Sequence, residues 1–133
     1  MRQVVYISTA AQGFDPSELG PILYSARHHN RQNEVTGLLL FDGLRFLQSL
    51  EGASREVDET LERVRKDKRH RALVILSDLT VNSREFGNWD MATKLSGATD
   101  YSSSVEDLVA SVSCPNLRAT FIGFAQFERL KSQ

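Results

Sequence analysis

Residues 34–52, EVTGLLLFDGLRFLQSLEG, constrain the fold of this chain more than any other stretch. Two apolar, strand-like runs meet at Asp42-Gly43, a dipeptide whose ease with positive φ makes it a strong hairpin signal. Strand side chains alternate faces, so Phe46, Gln48 and Leu50 point one way and Leu47 and Ser49 the other. Gln48 therefore shares a face with two large apolar residues. Its amide carries two donors and two acceptor lone pairs, and leaving such groups unpaired in a core costs about 1–3 kcal/mol each. Something polar must meet Gln48 inside.

The flanking elements set the fold class. RQVVYIST (2–9) reads as a first strand. A helix is expected from DPSE, with Asp15 as N-cap, Pro16 in the first helical position and Glu18 placed for a capping box. Leu19, Ile22, Leu23, Ala26 and Asn30 then follow on one face. SREVDETLERVRKD is a second amphipathic helix with Val57, Leu61 and Val64 on its stripe. RALVILSDLTV is a fourth strand, and GNWDMATKL a short fifth. The order β-α-β-β-α-β plus one strand predicts an α+β fold of the ferredoxin-like type, with both helices on one sheet face. The other face has its own apolar set, including Val5, Ile7 and Leu47. Beyond residue 100, two helices separate at Cys114-Pro115, and the second carries Leu117, Phe121, Phe124, Phe127 and Leu130, which suit it to cover that face or to form a dimer surface.

The 133 residues fit one domain, and a formal charge of -1 argues against a nucleic-acid binder working by bulk electrostatics. No apolar run reaches the roughly 18 residues of a membrane span, and no signal peptide is evident. The single cysteine, Cys114, fits a reducing, cytoplasmic setting. No metal-ligand spacing and no glycine-rich phosphate loop is found.

On the first strand Val4, Tyr6 and Ser8 share a face, and Tyr6 needs a partner for its hydroxyl. Asn30 continues the apolar stripe of the first helix. Taken singly, Tyr6 could cap a carbonyl, Asn30 could close a helix, and Gln48 could lie at a sheet margin. Together they converge on the helix-covered face, where a planar, polar ligand between the helices would satisfy all three.

The segments YIS, ARHHN, VTGLLLFDGLRFLQSLEG, KDKRH and REFGNWDM, in this order and spacing, resemble the BLUF domain, a blue-light sensor that binds FAD. The resemblance covers roughly residues 2 to 97 and departs at Glu34-Val35, where the family commonly has Gly-Ile. It implies a flavin-binding unit over 1–97, with 98–133 as a C-terminal helical extension of the same compact body. It also implies noncovalent FAD with the ring between the helices. Tyr6 would be the photochemical electron and proton donor, Gln48 the residue between Tyr6 and the flavin N5/O4 edge, and Asn30 the partner of the O4/N3 edge. His29 would pack against the flavin, and Ser8, on the face of Tyr6, joins the cofactor-lining set. Asp67, Arg69 and His70 match the family's segment near the ribityl and phosphate part, with Arg69 for the phosphate. Trp89 and Met91 belong to the element that reports the flavin state.

The expectation is a photoreceptor, not an enzyme. Its output would run through the fifth strand and C-terminal helices to a downstream protein partner or a homo-oligomer built on the outer sheet face and the aromatic helix. Two other classes stay open on the residues alone: a flavin-dependent oxidoreductase, and a ligand-binding ferredoxin-like module that uses no light.

Overall fold

The computed structural model describes residues 1–86, 92–95, 105–107, 109–110 and 112–131. Five strands, β1 (Arg2–Ala10), β2 (Thr36–Phe41), β3 (Arg45–Gly52), β4 (His70–Thr80) and β5 (Ala92–Leu95), form one sheet in the order β4-β1-β3-β2-β5. The first four pair antiparallel, and β5 joins β2 in parallel. Helices α1 (Leu19–Gln32) and α2 (Ser54–Lys66) follow β1 and β3, and α3 (Pro115–Lys131) closes the chain. This is the expected ferredoxin-like α+β architecture with a fifth strand.

Alternation along the strands produces two cores. Val4, Tyr6, Phe46 and Leu50 pack with Leu19 of α1 and with Val57 and Leu61 of α2. On the far face Val5, Leu38, Leu40 and Leu47 meet Phe86, Val105, Val109, Val112, Leu117, Phe121 and Phe124. The C-terminal segment thus covers that face within the same chain. Phe121 and Phe124 are buried there and offer no free dimer surface. Among the described residues, the exposed large apolar side chains on the sheet are instead Val74 (53%), Leu76 (49%) and Leu79 (48%) of β4. Phe127 and Leu130 are residues whose side chains lie outside the description.

The hairpin turns as expected. Gly43 takes φ 94, and Asp42 Oδ1 accepts the backbone N–H groups of Leu44 (2.9 Å) and Arg45 (2.6 Å), an Asp-closed turn. Gly37 has a different reason to be glycine: a Cβ on it would lie 1.9 Å from the Ser49 carbonyl oxygen, so only a bare Cα lets β2 pair with β3 at that point.

The start of the first helix differs from expectation. Asp15 does cap, its Oδ1 accepting Ser17 N–H at 3.0 Å and its carbonyl accepting Glu18 N–H at 2.8 Å. The capped turn, Pro16–Glu18, is a 3-10 turn, and the α-helix begins only at Leu19. Pro21 explains this, because it has no N–H for the Ser17 carbonyl and its ring would crowd that group. No reciprocal capping-box bond from Glu18 forms among the described residues.

The end of α1 makes the departure at Glu34 meaningful. Val35 N–H returns to the Asn30 carbonyl (2.9 Å) and Glu34 N–H to the Arg31 carbonyl (3.4 Å), the two bonds of a Schellman ending. That ending places Glu34 at φ 55, a left-handed conformation costing a residue with a Cβ roughly 1–2 kcal/mol. Glu34→Gly should therefore raise stability by about 1 kcal/mol, read as a higher denaturation midpoint at unchanged m-value. An unchanged or lower midpoint would show that the left-handed turn carries no strain.

Candidate functional site

The register between β1 and β3 sets Tyr6 directly opposite Gln48, with Leu39 of β2 opposite Gln48 on its other side. Both polar residues face the helices and are buried, Tyr6 at 0% and Gln48 at 5% exposure. The Tyr6 hydroxyl donates to Gln48 Oε1. This answers the sequence puzzle: the buried amide meets a phenol on the adjacent strand. Burial, reinforced by the Asp67 carboxylate, pushes the Tyr6 phenol well above its ordinary pKa of 10 against the opposing pull of Arg63, so it stays protonated.

This pair floors a cleft between α1 and α2. Asn30, 1% exposed, lines it from the end of α1, Thr60 and Arg63 from α2, Asp67 and Arg69 from the turn that follows, and His70 from the start of β4. As it stands the cleft holds a cavity of only about 100 Å³, below the few hundred Å³ usual for small-molecule sites, so a ligand of that class needs the two helices to part further. Larger hollows lie elsewhere on the surface, so it is the lining and not the size that singles this one out. A phenol and two carboxamides at the buried end, with guanidinium groups toward the mouth, suit a flat ligand with a hydrogen-bonding edge and an anionic tail.

Arg63 escaped the sequence reading. It is half-buried in the cleft and makes no hydrogen bond or ion pair among the described residues, and burial depresses its pKa. Its charge is also the main cause of the lowered pKa of His29. In the sequence it is one of several basic residues near a helix end, and only its direction distinguishes it. Arg69, by contrast, grips Asp67 through two side-chain bonds of 2.9 and 2.8 Å and a backbone bond of 3.0 Å. That bond set holds the Asp67 carboxyl below its usual range.

The other expected site residues divide. His29 is half-buried near His28, its ring 5.9 Å from that neighbour, and is not part of the cleft lining. Ser8 is buried and bonds His70 Nδ1 at 3.0 Å, so it supports a lining residue and does not line the cleft itself. Trp89 and Met91 lie outside the described residues.

His70 is stacked obliquely on Phe46 with ring centroids 4.5 Å apart. Burial lowers its pKa below 6.5, with Arg69 acting in the same direction and Asp67 against it. The folded state therefore keeps the imidazole neutral where the unfolded chain already binds a proton. Stability should be full above about pH 6.5, fall as the pH drops toward the lowered native value, and level off below it. In His70→Gln this component should vanish from the stability–pH curve. Equal acid slopes for both proteins would show that His70 is not held neutral.

Known proteins share the fold of this chain. The family model described as BLUF, sensors of blue-light using FAD, matches residues 1–92. The blue light- and temperature-regulated antirepressor BluF of Escherichia coli K12 is 38% identical over 66 residues, half of this chain and 16% of that protein. Photoactivated adenylate cyclase subunit beta of Euglena gracilis is 27% identical over 93 residues, 68% of this chain and 11% of that protein. The chain thus spans only about a tenth of the cyclase subunit's length. Klebsiella pneumoniae BlrP1 superposes with a TM-score of 0.80 at 25% identity, over 94% of this chain and 32% of that one. The dark-state BLUF protein BlrB shares the fold, with a TM-score of 0.74 at 20% identity, over 93% and 92% of the two chains. With the family model matching most of its length, this chain belongs to the BLUF family of blue-light sensors.

Proposed function

We propose that this chain is a blue-light photoreceptor that holds FAD noncovalently in the cleft between α1 and α2. Tyr6 serves as electron and proton donor and Gln48 as the hydrogen-bond switch. One observation carries the reading: in a chain of this flavin-sensor family, the Tyr6 hydroxyl donates to the Gln48 amide at the floor of the cleft. When bound, the flavin supplies blue absorption and an excited state that accepts an electron. The protein's part is orientation and hydrogen bonding. Tyr6 holds its proton at the phenol oxygen until that moment. Gln48 can present either a donor or an acceptor from one position, by turning its amide or changing tautomer, without moving the backbone. Such a change suits two states a few kcal/mol apart.

Noncovalent attachment fits a cleft lined by no cysteine, since Cys114 packs with the far-face core, and by one histidine, His70, which is held by Ser8 and packed on Phe46. FAD, with its diphosphate, fits the guanidinium groups at the mouth. The phosphate role goes to Arg63 in preference to Arg69, because Asp67 already occupies Arg69. Output passes through β5 and α3 to a partner protein or a second copy, Val74, Leu76 and Leu79 being the apolar side chains available on the sheet edge. We place the protein in the cytoplasm; no helix among the described residues is long and apolar enough to cross a membrane.

Difference spectra before and after blue light test the core of this reading. Gln48→Leu should stay folded, yellow and FAD-loaded, yet show no reversible red shift, since leucine cannot exchange donor for acceptor. Tyr6→Phe should be equally blind through loss of the phenol. A normal red shift in Gln48→Leu would sink the switch, even in a proven flavoprotein.

Arg63→Met keeps the apolar stem and removes the charge. It should weaken FAD binding by about ten- to a hundredfold, the worth of one hydrogen bond to a charged group. Arg69→Met should cost less. Titration calorimetry showing the reverse order would return the phosphate role to Arg69.

A further inference from the structure

On the far side of the sheet from the cleft, Glu51 is buried at 0% exposure. The registers place it between Gln3 and Thr36, and its carboxylate accepts from Gln3 Nε2 and Thr36 Oγ1, both at 3.2 Å. Two further donors are backbone N–H groups from the loop after β4, Glu85 at 2.8 Å and Phe86 at 2.6 Å. A buried carboxylate is tolerable only when so satisfied, and half of its donors exist there only while that loop lies folded on the sheet. Arg84 secures the same loop, donating to Thr36 Oγ1 (2.8 Å) and to the carbonyls of Glu51 (2.9 Å) and Glu34 (2.7 Å).

The chain of contacts continues. The carboxylate of Glu85, whose N–H is held by Glu51, accepts the Ser113 backbone N–H at 2.9 Å and the Ser113 hydroxyl at 2.5 Å, just before α3 begins. Arg118, in the first turns of α3, donates to the Val112 carbonyl at 2.6 Å, and Phe86 meets Phe121 edge to face at 6.0 Å.

We propose that Glu51 and Glu85 act in series as a latch that fixes α3 to β3, the strand that carries Gln48. Glu51 is a positioning residue: it touches no part of the cleft and acts through the loop it holds. The claim that this latch is the route from Gln48 to α3 rests on the light-sensing reading above; the latch itself does not.

The test is residue-resolved amide hydrogen exchange on the full, FAD-loaded chain, in the dark and under blue light. Glu51→Gln presents an N–H toward donors it should accept. In the dark it should speed exchange at Glu85, Phe86 and along the start of α3 by about tenfold or more, the scale of losing a bond to a charged acceptor. Glu85→Ala should speed exchange at Ser113 and the start of α3 only, leaving Glu85 and Phe86 protected. That ordered pattern is what a series latch predicts and a general loss of stability does not. Both variants should keep the red shift and lose any light-dependent change in α3 exchange. Unchanged dark protection in Glu51→Gln, or simultaneous loosening of both segments in Glu85→Ala, overturns the latch. A light-dependent α3 change surviving in both variants overturns the route. If Glu51→Gln does not fold, the partly exposed Glu85→Ala decides alone by the same criterion. A wild type with no red shift defeats the light-sensing reading, and the dark exchange still judges the latch.

Discussion

The antiparallel pairing of β1 with β3 is the interaction on which both faces of the molecule depend. One register puts Tyr6 opposite Gln48 on the helix side and Gln3 opposite Glu51 on the far side. Because strand side chains alternate with a period of two, a slip of one residue would exchange the faces of every residue on one strand. It would strand a carboxylate among the helices and a carboxamide beneath α3. The two polar pairs therefore specify the register as firmly as the apolar residues between them, and Gly37 lets β2 pair against β3 where a larger residue could not.

Around the cleft, burial sets the protonation states. It holds the Tyr6 phenol protonated and His70 neutral. The charges at the rim pull in opposite senses on Tyr6, Asp67 upward and Arg63 downward, and burial decides the outcome. Asp67 is itself engaged with Arg69, which leaves Arg63 as the cleft cation with no carboxylate among the described residues. A ligand's negative charge would meet it with little competition.

Much of the fold was legible because local signals agreed with one another. Asp42-Gly43 named the hairpin, and the parity of Phe46, Gln48 and Leu50 placed the amide inside. The apolar spacing of α1 and α2 set both helices on one face. What escaped depended on partners distant in the chain or on backbone geometry. The helix start was misread because Asp15 gives the cap signal while Pro21 decides where regular bonding can begin. The left-handed turn at Glu34 was hidden because such an ending is visible in sequence only when glycine marks it. Ser8 shared a face with Tyr6, yet its hydroxyl is taken by His70. Glu51 read as part of a motif, and its role needed donors more than thirty positions away, at 85 and 86.

An amide that turns in place exchanges donor for acceptor while its van der Waals envelope barely changes. A sheet packed on both faces has no need to move in response, and close-packed cores resist gradual deformation. A signal that starts at such an amide must therefore leave the site as a change in hydrogen bonding, and it should emerge where elements are held by few, strong, polar contacts. On the helix side Arg2 makes one such link outside the cleft, joining Asp58 of α2 to Asp78 of β4, but it does not lead toward α3. The far side does: from Glu51 through the 84–86 loop to Ser113, the link to α3 consists largely of hydrogen bonds to carboxylates and carbonyls. Such bonds are directional and break over short distances, whereas the apolar contacts of Phe86 and Phe121 tolerate small shifts. On the proposed latch, a small rearrangement on β3 would release α3 at its polar start while its apolar body stays docked.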